Sequence, residues 1–339
     1  MTLAEIWFVL VAVLWGGYFV LEGFDFGVGM LLPFLPRDEE ERSVMFESIG
    51  PVWDGNEVWL VVAGAATFAA FPAWYASMFS GFYLALLVVL VCLIVRVVSF
   101  EWRERSSTPG WRATWMWANT LGSAGASLIW GIALSALLYG VPLDSNGDYA
   151  GTFWDLFHPY TVVAGLAVVA LFAFHGATFL VVRTAGDLCD RATRAAGRLA
   201  PVALVLGAAF LVWTVVVAVD RNDKNVFPPV LPAATAAGAL AAAAILVRRR
   251  SVLAFAMTAL GTVAVVGTLF TSLYPRVMVS SPNFGNSLTV ANASSAHYTL
   301  AVMSVVALIA APVVLVYQGW TYHVFRRRLG GELSPQPNV

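Results

Sequence analysis

The chain has 339 residues, 60% of them hydrophobic and 12% charged, with a formal net charge of −1. A soluble domain carries about twice that share of charge, and apolar runs of bilayer length recur from one end to the other, so a soluble fold is excluded. No basic arm or basic patch interleaved with aromatics is present, which excludes a nucleic-acid partner.

In chain order, the start "MTLAEIWF" has no positive n-region, so no cleaved signal peptide is expected. The first apolar run, 6–35, holds Glu22 and Asp25 among Gly23, Gly27 and Gly29. The second, 50–72, opens on "GPVWDGNEVWLV", which sets Asp54, Asn56 and Glu57 between Trp53 and Trp59. Pro72 and Ala73 leave almost no connection to the third run, 74–101, and predict a helical hairpin there. That third run carries Cys92 and Arg96, and the fourth, 113–141, carries Asn119 and Ser123 near its start. A turn-rich polar loop, 140–160, precedes the fifth run, 160–183, which holds His175. An arginine-rich loop with Cys189 leads to the sixth and seventh runs, 199–219 and 230–247, joined by the short loop 220–229. The eighth run is 252–273, and a second polar loop, 280–295, leads into the ninth, 295–325. The predicted fold class is an all-α integral membrane protein of about nine transmembrane helices, each needing roughly 20 residues. It forms one polytopic domain over 1–339, with helices one to four in 6–141 and helices five to nine in 160–325.

Basic residues predict the orientation. The first, third, fifth and seventh loops and the C-terminal tail hold fifteen arginines, from Arg37 to Arg328. The other side holds Arg221, Lys224 and Arg276, and Arg96 falls within a helix. This places the N-terminus outside and the C-terminus in the cytoplasm.

Glu22, Asp25, Asp54, Glu57 and Arg96 are therefore intramembrane ionisable residues. On insertion scales an Asp, Arg or Lys at a helix centre costs roughly 2.5–3.5 kcal/mol. Such groups must face the bundle interior or water. Asp25 falls about 15 Å from the cytoplasmic end of helix one, Asp54 and Glu57 about 6 and 10 Å into helix two, and Arg96 about 8 Å from the end of helix three. One polar inlet shared by helices one to four follows, with Asn119 and Ser123 at similar depth. Asp54 and Glu57 are three residues apart and share a helix face, as do Glu22 and Asp25. Buried carboxyls that load and release protons are relay elements; the plainer reading is a structural ion pair between Arg96 and one acid. His175 is the one histidine well inside a run, and a hydrogen bond to a neighbouring helix outweighs haem ligation for it. The residues name no metal site, nucleotide fingerprint or cofactor for this chain.

These residues resemble a known family. "LEGFDFGVGMLLPFL" (21–35) with "GPVWDGNEVWLVVAGAATFAAFPAWYASMFSGFYL" (50–84) is similar to subunit II of the cytochrome bd-type quinol oxidases, as are "RVVSFEWR" (96–103), "GATFLVVRT" (176–184), "YPRVMVSS" (274–281) and "NSLTVANASS" (286–295). The resemblance implies two four-helix bundles plus one extra helix, and a pseudo-symmetric heterodimer with a haem-bearing subunit I in a bacterial cytoplasmic membrane. It implies that subunit I carries three haems, two b-type and one d-type, and the quinol-oxidising loop. The complex would reduce dioxygen to water with electrons from menaquinol or ubiquinol, drawing protons from the cytoplasm without pumping. Small single-span accessory subunits and membrane lipid are the other expected partners. By position, Asp54 matches the family aspartate on the proton path at the subunit interface, Asp25 a second motif acid, and Arg96 a motif arginine that organises them. Trp59 matches a tryptophan on a hydrophobic oxygen route in some members. Glu57 departs from the pattern, since relatives often carry Gln there; with Glu22 it adds a candidate proton carrier.

Two rivals stand beside this reading. A proton-coupled secondary transporter also suits buried acids and glycine-thinned helices, but predicts a midplane solute site and transport by this chain alone. A scaffold subunit would use the acids only to pair with Arg96.

Overall fold

The computed structural model describes residues 1–223, 225 and 227–330. Lys224, counted above on the outer side, lies outside the described residues. Helix α1 (Leu3–Leu31) starts at a reciprocal cap, in which Thr2 accepts from the Glu5 backbone and the Glu5 carboxylate accepts from the Thr2 backbone. It ends before Pro33, which cannot continue the backbone ladder. A short polar helix, α2 (Glu39–Ile49), is capped by Asp38 and followed by α3 (Trp53–Ala70). Pro72 opens α4 (Pro72–Gly81) and makes the expected hairpin. The third predicted run is not one helix: it divides at Phe82 into α4 and α5 (Tyr83–Trp102).

Four long helices follow: α6 (Pro109–Tyr139), α7 (Pro159–Arg183), α8 (Gly186–Asn222) and α9 (Phe227–Leu246). The arginine-rich stretch expected as a loop is instead the first part of α8. Its Leu188, Ala192, Ala196 and Ala200 recur every four residues and are buried. Its arginines lie off that stripe, as the 3.6-residue period allows. The chain closes with α10 (Ser251–Leu273), a short hairpin of β1 (Arg276–Met278) and β2 (Leu288–Thr289), α11 (Val290–Ala293) and α12 (His297–Val324).

Among the described residues, eight helices are long and apolar enough to cross a membrane. Helix α3 is not one of them, because Asp54, Asn56 and Glu57 sit in its 18 residues. Helix α1 lies at the centre of the molecule, against α3, α6, α7 and α10. Its crossing with α7 is set by Gly27 and Gly176: a Cβ on Gly27 would come within 2.0 Å of the Phe172 carbonyl oxygen. Only glycine permits that approach.

The arginine-bearing segments gather at one end of the bundle. Glu39 takes Arg42, Arg103 and Arg112, and Glu41 takes Arg191. Arg183 donates to the Arg327 carbonyl at 2.6 Å. At the opposite end the two polar loops are knitted together: Val141 donates to the Val279 carbonyl at 2.9 Å, and Ser281 to the Val141 carbonyl at 3.0 Å. Helix α12 stands apart, with Leu300 its one buried side chain, and is pinned near one end by Trp7 Nε1 donating to Ser304 Oγ at 3.0 Å.

Candidate functional site: a buried acid and arginine cluster

Glu22 and Asp25 lie one turn apart on α1 and are wholly buried, as is Arg96 on α5. Arg96 Nη1 donates to Glu22 Oε1 at 2.6 Å. Its guanidinium also faces the rings of Phe26, at 5.0 Å, and Phe100, at 5.8 Å, a favourable setting for a cation. Arg96 thus pairs directly with Glu22, while its charge also acts on Asp25.

Asp25 has a different partner. Asn56 on α3 donates from Nδ2 to Asp25 Oδ2 at 2.8 Å. Asn56 Oδ1 accepts from the Tyr322 hydroxyl at 2.7 Å and from Gln318 Nε2 at 3.3 Å, both on α12. Trp59 Nε1 donates to Gln318 Oε1 at 2.7 Å. The Trp59 ring packs over Gly17, where a Cβ would come within 2.5 Å of it.

The cluster has hydrogen-bonding capacity to spare. Glu22 Oε2, Asp25 Oδ1, Arg96 Nε and Nη2 and the Tyr18 hydroxyl are buried without a protein hydrogen-bond partner. Unpaired polar atoms in such numbers are costly and are normally met by ordered water.

The remaining candidates lie around this core. Glu57 is half-buried and close enough to Glu22, Asp25 and Arg96 to interact electrostatically with them. Asp54 is exposed, in the first turn of α3, where the helix dipole favours an acid. Its neighbour Trp53 stacks on Phe100 at 5.4 Å, the ring that also flanks Arg96. Asn119 meets Arg96 through the backbone: its Nδ2 donates to the Arg96 carbonyl at 3.2 Å and to Ser99 Oγ at 2.8 Å. Sequence reasoning missed Gln318 and Tyr322, which sit some 260 residues from Asn56 in the chain. The signal available was two polar side chains four apart, Gln318 and Tyr322, near the end of the largely apolar ninth run.

His175 belongs to a separate cluster. Its Nε2 donates to the Val20 carbonyl at 3.0 Å, and its Nδ1 pairs with Thr258 Oγ1 at 2.7 Å. Both ring nitrogens are engaged in hydrogen bonds to neighbouring helices. Among the described residues no group of three or more His, Cys, Asp or Glu is arranged to hold a metal ion.

Helices of this length, with an ion pair sealed between them, define a multi-pass membrane protein that keeps charge inside its bundle. The chain belongs to the cytochrome bd terminal oxidase subunit II family, whose model matches residues 3–325. It is 40% identical over 328 residues to cytochrome bd ubiquinol oxidase subunit 2 of Bacillus subtilis (strain 168), covering 97% of each chain. It is 37% identical over 350 residues to cytochrome bd-I ubiquinol oxidase subunit 2 of Escherichia coli (strain K12), covering 94% of this chain and 92% of that one. Its fold is similar to a chain in the structure of bd oxidase from Geobacillus thermodenitrificans, with a TM-score of 0.77 and 16% identity over 96% of this chain and 99% of that one.

Proposed function

We propose that this chain is the haem-free subunit of a bacterial cytochrome bd-type quinol oxidase, and that it supports the haem-bearing subunit and carries part of its proton path. Membership of the subunit II family along nearly the whole chain supports the oxidase over the transporter. The observation that carries the proton path is the buried cluster, in which carboxyls and a guanidinium hold unmet hydrogen-bonding capacity. Groups of that kind, joined by water, pass protons; a scaffold alone needs only the Glu22–Arg96 pair. The haems, when bound in the partner, supply the electron transfer and oxygen chemistry, and this chain's residues hold and move protons.

In this reading the chain is a single polytopic domain of nine spans: α3 joins the eight membrane-length helices, and α4 continues α5 within one span. The arginine-rich end faces the cytoplasm and both the N-terminus and the two polar loops face outward. Asp54 receives protons at the chain's exposed surface beside the partner subunit, and Glu57 stands between it and the Glu22–Asp25 core. The half-buried face around Trp59 provides an apolar route for dioxygen. The quinol, menaquinol or ubiquinol, is oxidised on the partner.

The deciding experiment is Asp54→Asn in the assembled complex. Oxygen reduction and proton uptake should fall about 100-fold or more, the lower part of what a positioned proton carrier contributes, with haem content unchanged. Unaltered rates would remove Asp54 from the path. A visible spectrum with haem bands that require a second membrane subunit settles class and partner together; a haem-free protein that purifies alone from its native membrane would sink the assignment.

A further inference from the structure

The Asn56 amide accepts at one end and donates at the other, and a half-turn of the group exchanges the two. Its surroundings decide which end faces Asp25. Trp59 Nε1 has a hydrogen and no acceptor capacity, so it can only donate. It donates to Gln318 Oε1 at 2.7 Å. Gln318 must then present its amide nitrogen to Asn56, which it does at 3.3 Å. Asn56 is left with its oxygen toward α12 and its nitrogen toward α1, where it donates to Asp25 Oδ2 at 2.8 Å and to the Leu21 carbonyl at 3.3 Å. The Tyr322 hydroxyl, 2.7 Å from Asn56 Oδ1, can donate or accept and so imposes no direction.

We propose that Trp59 and Gln318 are positioning residues for Asp25: they form a one-way hydrogen-bond chain that holds Asn56 as a donor to this carboxyl and keeps it a proton acceptor. The inference rests on the reading of Asp25 as a proton-path acid. With Asn56 reversed, two oxygens would face each other unless Asp25 itself carried the proton. The other charged or titratable groups facing Asp25 are Glu22 on its own helix, Arg96 from α5, Glu57 from α3 and Tyr322 from α12. A variant at Trp59 or Gln318 removes none of them. The chain also gives α12, otherwise loosely attached, a direct hold on the buried core.

The test uses the assembled oxidase. Trp59→Phe keeps an aromatic ring against Gly17 and loses the N–H; Gln318→Met keeps the length and loses both amide functions. The readout is the infrared carboxyl band of Asp25, identified by its loss in Asp25→Asn. Both variants should shift and broaden that band as Asn56 is freed to rotate, and slow oxygen uptake severalfold. The double variant should do no more than Gln318→Met alone, because the two residues act in series. Should Trp59→Phe fail to assemble, Gln318→Met, on the loosely held helix, decides the matter by itself. An unmoved band in Gln318→Met would mean that the Leu21 carbonyl alone orients Asn56, and would overturn the proposal, as would losses that multiply in the double variant. The band reads the carboxyl and not turnover. If Asp25→Asn leaves oxygen uptake intact, the proton-path reading fails at that residue while the band still decides on the chain.

Discussion

Two polar clusters are buried against α1, and they are built on opposite terms. Around His175 the polar groups are matched: the imidazole lies between Val20 and Thr258, Thr178 donates to the His175 carbonyl at 2.8 Å, and Phe255 stacks on the ring at 4.8 Å. Around Glu22 and Asp25 the groups include an ion pair and an acid, and several of their atoms lack protein partners. A closed neutral network locks two helices together. A charged network with spare capacity costs stability and is explained by what it handles.

That contrast can be broken from either side. The largest effect is expected for Arg96→Met, which leaves Glu22 buried without its counter-charge; breaking such a pair costs about 3–5 kcal/mol. Assembled complex, followed by haem absorbance of the purified oxidase, should be nearly lost. Recovery at wild-type yield would mean that Glu22 is not held as an ion in the fold. Asp25→Asn comes next: it keeps the size of the side chain and should lower proton uptake about 100-fold or more with assembly intact.

The neutral cluster should respond in the reverse way. His175→Phe removes the ring's two hydrogen bonds, to Thr258 and the Val20 carbonyl, each worth about 0.5–1.5 kcal/mol. The thermal midpoint should drop, while oxygen uptake per assembled complex stays at the wild-type value. A selective loss of turnover there would erase the distinction between the clusters.

The smallest effect lies in the polar cap. Partial burial and the charge of Asp155 push the Tyr149 phenol from its ordinary 10.0 up to about 12. The folded state therefore binds that proton more tightly than the unfolded chain. Its contribution is complete below pH 10 and is lost as the pH rises toward 12. The thermal midpoint should fall across that window, and less steeply in Tyr149→Phe. Parallel curves for the two proteins would assign the alkaline loss to other groups.

Much of this was legible in the residues. Runs of apolar side chains marked the helices, and Pro72 marked the hairpin, because hydropathy and proline act locally. The division at Phe82 was passed over: both sides are apolar, and Gly81, the one breaker at the joint, reads as part of a continuous run. The helical start of α8 was missed because its arginines read as a loop, although the alanine stripe at every fourth position argued for a helix. The acids were found because charge is conspicuous in an apolar chain.

What the sequence by itself determined is the class of molecule and its costly residues: many apolar helices, with Glu22, Asp25, Asp54, Glu57 and Arg96 set into them. Spacing along one helix could also say which pairs share a face. Which acid meets Arg96, and which amide meets Asp25, were decided only by the tertiary structure. Helices α1, α3, α5 and α12 bring together positions far apart in the chain, so side chains remote in sequence become neighbours at 2.6–3.3 Å. Hydrogen bonds act over about 3 Å, and periodicity carries no information about contacts between helices at that range.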